Sequence, residues 1–340
     1  MLSNLQRTLC FCLAGCILLL LGACSTVPYE KGAIWCNEAL KYEPGIHFDR
    51  PHLEVARRGY LYALAAAYVL QNNSDEDSDH WFALPPRVKE VDRPQRHSSG
   101  FEVGTFEVRS RPGDNEPVEE VIVAFTGSND SADWLFANLF FSRSQYDLAR
   151  SYVEITAKRY PGKRIVVTGF SLGGALAGHV TKNPKTGPLI SEAWLFNPSP
   201  KLYANDSYDK RIWVAALRGE VLHVIRSRPF ELLWPGINRI GAPWYQNAQD
   251  FYLISAFPIY GHYRWALARN ILFVADYAHL QDRPGPVDPQ RAREPRQILE
   301  ASKFKACERE TAWRNRMLRS QKAAQEKATN AIKEKESAMP

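Results

Sequence analysis

The stretch "VVTGFSLGGALAG", residues 166–178, joins a β-prone run to small, helix-compatible residues through one serine set between two glycines. A serine hydroxyl is a weak nucleophile until a base removes its proton, and the base reaches it only when the hydroxyl stands clear of neighbouring side chains. A sharp strand-to-helix turn provides that clearance. It needs glycine at both flanks, because a Cβ there would clash; this is the logic of the G-x-S-x-G elbow. The pentapeptide alone also reads as an ordinary glycine-rich turn. Its flanks favour the elbow: "KRIVVTG" before it is strand-like and "GALAGHVTK" after it is helix-like. Ser171 is then a candidate nucleophile. The backbone N–H of Leu172, at a helix N-terminus that favours negative charge, is a candidate oxyanion donor.

The order of elements follows from the same patterning. "HLEVARRGYLYALAAAYVLQ", residues 52–71, is a helix with apolar residues on most faces, hence buried. "NNSDEDSDH" is an acidic loop, continued by the Pro-containing stretch 84–100. "GFEVGTFEVRS" and "EEVIVAFTGS" flank the turn "RPGDNEP" as a hairpin. A helix is expected from about Asp133 to Tyr160, then the strand and elbow. "EAWLFNPSP", "EVLHVIRS" and "DFYLIS" read as further strands, and "RWALARNILFVADYA" as another apolar helix. Strands alternating with helices imply an α/β fold, a mostly parallel sheet covered on both faces, with no repeat and no inner boundary.

The ends of the 340-residue chain differ from its body. Arg7, an apolar run from Leu9 to Leu21, and Leu21-Gly22-Ala23-Cys24 form a signal-peptide layout whose last four residues resemble a bacterial lipobox. That resemblance implies cleavage of residues 1–23, a lipidated Cys24, and an envelope location, with Ser25 leaning toward the outer membrane. An uncleaved transmembrane helix is the alternative. With Cys10, Cys12 and Cys16 removed and Cys24 lipidated, Cys36 and Cys307 remain in an oxidising compartment; they form either a disulfide or two separate thiols. The net charge of +6 is concentrated in residues 301–340, where ten Lys or Arg face five Asp or Glu. This tail reads as a charged helix, solvated or touching anionic headgroups. The export signal argues against nucleic acid, and no C-x-x-C, H-E-x-x-H or EF-hand string announces a metal or other cofactor site.

"VIVAFTGSNDSADWLFANL" followed by "VTGFSLGGALA" resembles the class 3 lipase family of α/β-hydrolases, which pairs an "AFRGT…DW…NL" block with a "GHSLGGALA" elbow. The likeness covers roughly residues 101–235 and sets the body at 24–300 between signal and tail. Thr126 stands where the family usually has Arg, and Phe170 where it has His. The resemblance implies Ser128 as the second oxyanion donor beside Leu172, with Asp133 and Trp134 structural.

The fold orders its triad as Ser, acid, His. The family's aspartate follows the strand matched to "VLHVIRS"; Pro229 occupies its place here. Glu231, two residues on, is the candidate acid, against a surface pairing with Arg226 or Arg228. His262, after the last strand and before an apolar helix, is the preferred base and His279 the rival; His223 falls within an expected strand. Trp234, Trp244, Tyr245, Phe257 and Tyr260 either line an acyl groove or join the core. The resemblance thus implies a lipid-anchored serine ester hydrolase acting on acyl esters or lipids. An acyltransferase with the same triad, or a non-catalytic envelope scaffold that has lost its acid, are the alternatives; Pro229 is the ground for the scaffold.

Overall fold

The computed structural model describes residues 50–71, 80–127, 143–226, 240–251, 260–281 and 289–304. The expected signal peptide, Cys24, Cys36, Cys307, Ser128, Asp133, Trp134, Glu231, Trp234 and Phe257 lie outside them.

Seven strands form one sheet: β2 (Val88–Asp92), β3 (Val103–Arg109), β4 (Val118–Phe125), β5 (Arg164–Phe170), β6 (Glu192–Phe196), β7 (Ile212–Leu217) and β8 (Asn247–Phe251). They lie side by side in chain order. The first three form an antiparallel meander, and β4 to β8 are parallel. β1 (His80–Trp81) pairs separately with β9 (Lys303–Phe304).

That order fixes where the helices go. Right-handed crossovers advancing in one direction fall on one face of a sheet. α2 (Ser144–Arg159) and α3 (Leu172–Lys182) accordingly share a face, packed on Val123, Phe125, Val167, Leu195 and Val214. The opposite face must be covered by helices outside the crossovers. α1 (Arg50–Tyr68) precedes the sheet and α5 (Arg264–Gln281) follows it; together they bury Ile122, Val166, Trp194, Phe196 and Ala215. Alternate residues of the central strands thus enter two cores, the pattern of a sheet buried on both sides. α1 is apolar on most faces because it lies between the sheet and α5. Its Tyr62 stacks on Trp194, which stacks on Trp213. Full burial of such a side chain contributes about 1.5–3 kcal/mol. None of the described helices is long and apolar enough to cross a membrane.

The structure bears out the buried first helix, the hairpin, the elbow and the last apolar helix. It corrects two other expectations. The stretch 84–100 contains β2, which pairs with β3 despite its flanking prolines because its partner offers an open edge. "VLHVI" is not a strand but a one-turn helix, α4 (Val221–Ile225), so His223 sits on a helix. The strand is the preceding "IWVAAL", β7, every residue of which is buried. Its apolar run is continuous because both faces are covered, so it carries no alternation to announce it. α6 (Pro289–Ala301) ends next to the expected boundary at residue 300, and β9 follows it.

Candidate active site

β5 ends at Phe170 and α3 begins at Leu172, leaving Ser171 alone at the corner. Its backbone stands at φ 55°, ψ −117°, a conformation that costs a non-glycine residue about 1–3 kcal/mol. Ser171 N–H donates to Phe196 O at 2.9 Å, and Ser171 O accepts from Ser199 N at 2.9 Å, so β6 and the loop after it pin the corner. The flanking glycines explain the closeness. A Cβ on Gly169 would stand 2.3 Å from the carbonyl carbon of Gly173, and one on Gly173 would stand 2.2 Å from Phe125 O. Strand, helix and the end of β4 meet at separations no side chain permits. As the first residue of α3, Leu172 has an N–H with no carbonyl one turn back to bond it.

Gly127 leaves β4 directly against this corner: a Cβ there would lie 2.6 Å from Phe170 O and 3.2 Å from Ser171 Cβ. Thr126, in place of the arginine the resemblance leads one to expect, is tied to β3 by its N–H and hydroxyl, both bonded to Glu102 O. The chain therefore brings the segment that precedes Ser128 to the elbow.

His262 ends a single 3₁₀ turn (Tyr260–His262) immediately before α5. Its ring meets that of Phe170 edge-on, with centroids 6.1 Å apart, which sets it beside the elbow. Its Nδ1 lies 2.6 Å from Oε2 of Glu220. A carboxylate only accepts, so Nδ1 carries the proton and Nε2 keeps its lone pair. Nε2 and the Ser171 hydroxyl are both buried and have no hydrogen-bond partner among the described residues. Each such unmet group costs about 1–3 kcal/mol. Because Phe170 adjoins both Ser171 in the chain and the His262 ring in space, an unmet ring nitrogen and an unmet hydroxyl belong to the same corner of the molecule.

A carboxylate follows the corrected strand. β7 ends at Leu217, and a turn closed by Glu220 N–H to Leu217 O brings Glu220 up three residues later. Gly219 takes the positive φ of 73° that the turn requires and that glycine adopts without steric cost. Glu220 then caps α4: its Oε2 accepts from Leu222 N at 2.9 Å. Its side chain is fully buried. Burial pushes the carboxyl pKa up, but the Arg226 guanidinium and His262 beside it outweigh this and hold it below the ordinary range. The expected acid, Glu231, lies outside the described residues; the carboxylate on the histidine is Glu220. The difference comes from the strand itself: β7 ends at Leu217, ahead of "VLHVI", so the acidic residue that follows the strand is Glu220.

Asn197, at the end of β6, ties these parts together. At φ 40°, a left-handed conformation that Asn tolerates, it donates through Nδ2 to Gly261 O at 3.1 Å and accepts from Leu217 N at 2.9 Å. It thus links the strand before Glu220 to the residue before His262. His279, the rival base, belongs to α5 more than four turns beyond His262. His179 on α3 is occupied: Nδ1 bonds Leu202 O and Nε2 meets Arg150, with burial the chief cause of its lowered pKa. Trp244 and Tyr245 do not border this site. They precede β8, at the opposite end of the sheet from Ser171, where with Trp213, Arg58 and Lys210 they line a separate cavity of about 560 Å³.

A mostly parallel sheet covered on both faces, with a strand–serine–helix elbow and an acid and a histidine following in that order, defines an α/β-hydrolase fold. No protein-family model matches the sequence, and no curated protein matches it either. Among solved structures the chain is similar to Lip2 lipase from Yarrowia lipolytica, at 12% identity over 65% of this chain and 93% of that one, with a TM-score of 0.37. It is also similar to a lipase from Rhizopus microsporus var. chinensis (13% identity, 52% and 71% covered, TM-score 0.35) and to a triacylglycerol lipase from Penicillium expansum (14%, 59% and 80%, TM-score 0.35).

Proposed function

We propose that this protein is a serine ester hydrolase with Ser171 as nucleophile, His262 as base and Glu220 as the acid that orients it. The observation that carries this reading is the pair of unpartnered groups, Ser171 Oγ and His262 Nε2, with the far side of the imidazole fixed by Glu220.

Each residue has one part in the chemistry. Ser171 Oγ bonds to the acyl carbon as its proton passes to His262 Nε2, and the carbonyl electron pair moves onto oxygen. Leu172 N–H stabilises that oxyanion, together with Ser128 as the resemblance implies. Glu220 does not take the proton; it stabilises the imidazolium and keeps the ring in the productive tautomer. Collapse expels the alcohol, which leaves with the proton from His262. Water then attacks the acyl-serine by the same route and releases the acid. The likeness of the "AFTGS…DW…NL" and "GFSLGGALA" blocks to class 3 lipases supports a lipid-type acyl ester as substrate. The ground for a non-catalytic scaffold was Pro229 in the acid's place. That ground lapses once Glu220 stands on His262.

Labelling of the full-length protein by a fluorophosphonate, lost in Ser171→Ala, tests the reading. Equal labelling of wild type and variant, or none of either beside hydrolysis that survives in Ser171→Ala, overturns it. The proposed anchor at Cys24 has its own test, incorporation of radiolabelled palmitate in the bacterial host, abolished by Cys24→Ala.

A further inference from the structure

Glu220 has a second partner that a serine–histidine–acid triad does not require. Arg226 follows it by six residues, just past the end of α4, and its Nη2 donates to Glu220 Oε1 at 2.5 Å. The other carboxylate oxygen, Oε2, serves His262 and Leu222 N. The guanidinium is itself anchored twice: Nη1 donates to Pro198 O at 2.8 Å and Nε to Gln249 Oε1 at 3.1 Å. Gln249 in turn donates to Asn247 Oδ1 at 2.8 Å. The arginine side chain is 4% exposed and the glutamate 0%. A full cation is thus locked against the acid from below, held by the loop after β6 and by β8.

We propose that Arg226 is a positioning residue of this site: by occupying Glu220 Oε1 it fixes the acid against His262 and sets the pH at which the Glu220–His262 pair takes up a proton. This rests on the reading of that pair as the partner of Ser171. A carboxylate shared with a guanidinium holds an imidazolium less tightly than an unshared one. Without the cation, the pair binds its proton at higher pH, whichever of the two groups carries it, because the two titrate as a unit. An opposite charge at this range moves a carboxyl by about 1–3 pH units, so removing it has a measurable effect.

The neighbouring ionisable groups do not supply a substitute. Arg218 at the end of β7 and His223 on α4 share Glu220's segment. His52 of α1 packs edge-on against Phe251 of β8. Arg264, two residues after His262, is turned to the carbonyls of Ala67 and Leu70. Among the described residues, Arg226 and His262 are the charged or titratable side chains bonded to the carboxylate.

The test compares Arg226→Met and Arg226→Gln, which remove the charge, with Arg226→Lys, which keeps it. Two readouts are taken on the full chain: the acid limb of kcat/KM for a short acyl ester, and the His262 imidazole titration followed by NMR in a Ser171→Ala background. The expected result is a rise of at least about one pH unit in both readouts for the neutral variants, with the lysine variant within a few tenths of wild type. A purely structural role would lower stability and leave both midpoints in place. An unmoved midpoint in a folded neutral variant overturns the proposal, as does a lysine variant that titrates like the neutral ones. The NMR readout needs no turnover. If hydrolysis is absent from the wild type, the catalytic reading fails while the effect of Arg226 on the histidine is still measured.

Discussion

His262 Nδ1 and Glu220 Oε2 stand 2.6 Å apart across 42 residues of chain. The contact requires three separate pieces of geometry. β7 must end at Leu217, the glycine turn must lift Glu220, and the 3₁₀ turn must present His262 ahead of α5. Glu220→Gln keeps the shape and removes the charge; it also offers an N–H where only an acceptor suits the histidine. Loss of the orienting acid in an established triad lowers kcat by about 10⁴. The same order is expected here, whereas Glu231→Gln is expected to stay within a few-fold of wild type. A steady-state comparison of the two variants decides between the acids, and a reversed order refutes the assignment to Glu220.

Ser171 and His262 act as a unit if the mechanism holds. Ser171→Ala and His262→Ala should each reduce ester hydrolysis by several orders of magnitude, and the double variant should be hardly worse than either. Multiplicative losses would show that the two residues contribute independently. His279→Ala, remote along α5, is expected to leave turnover intact.

The elbow is a steric statement as well as a chemical one. Gly173→Ala places a Cβ 2.2 Å from Phe125 O, a contact with backbone that cannot move aside like a flexible side chain. Overpacking commonly costs about 1–3 kcal/mol, and a backbone clash at the junction of β4, β5 and α3 belongs at or above the upper end. Urea denaturation is expected to show a loss of at least about 2 kcal/mol. Unchanged stability would mean that the elbow is looser than described.

How much of this was legible in the sequence depends on how each element announces itself. The elbow declares itself in a few residues, because only glycine fits at 169 and 173. The first and last apolar helices declare themselves by length. His262 is readable from its place between a strand and a long apolar helix. β7 is not: "IWVAAL" is a short, uninterrupted apolar run, whereas the neighbouring "VLHVI" is equally β-prone, so local preference decides nothing between them. The clue was "RGE" directly after the apolar run, a glycine turn followed by an acid. Arg226 and Asn197 are invisible for a different reason, since their roles exist only through partners that the fold brings from other strands.

The packing of the far end against the sheet depends on a buried ion pair. Arg87, just before β2, donates through Nε and Nη2 to Glu294 of α6 at 2.7 and 2.8 Å, and Tyr60 of α1 adds a third bond at 2.7 Å. The side chains are 11% and 8% exposed. Removing one member of such a pair leaves an uncompensated charge and costs about 3–5 kcal/mol, far more than the pair contributes relative to an apolar filling. Glu294→Gln should therefore lower the melting temperature sharply, and Arg87→Met combined with Glu294→Leu should recover much of the loss. A single substitution with no effect would show that α6 is not held through this pair.

Two buried carboxylates should pull the stability–pH curve in opposite directions. Burial raises the pKa of Glu120, more than Arg164 and Tyr62 offset. For Glu220 burial also acts upward, but Arg226 and His262 reverse the outcome and the pKa falls. An unfolded glutamate titrates near about 4.3. The contribution of Glu220 is therefore fully present above that value and disappears as the pH drops through its lower folded pKa. Glu120 behaves conversely. Between about 4.3 and its higher folded pKa the unfolded chain has released a proton that the folded one keeps, so stability falls as pH rises there. Urea unfolding from pH 3 to 7 should show a shallower acid slope in Glu220→Gln and a more positive slope above the unfolded value in Glu120→Gln. Slopes are the quantity to compare, because each substitution also removes hydrogen bonds at every pH. Parallel curves for the two variants would show that the environments of these carboxylates do not differ in the way their partners require.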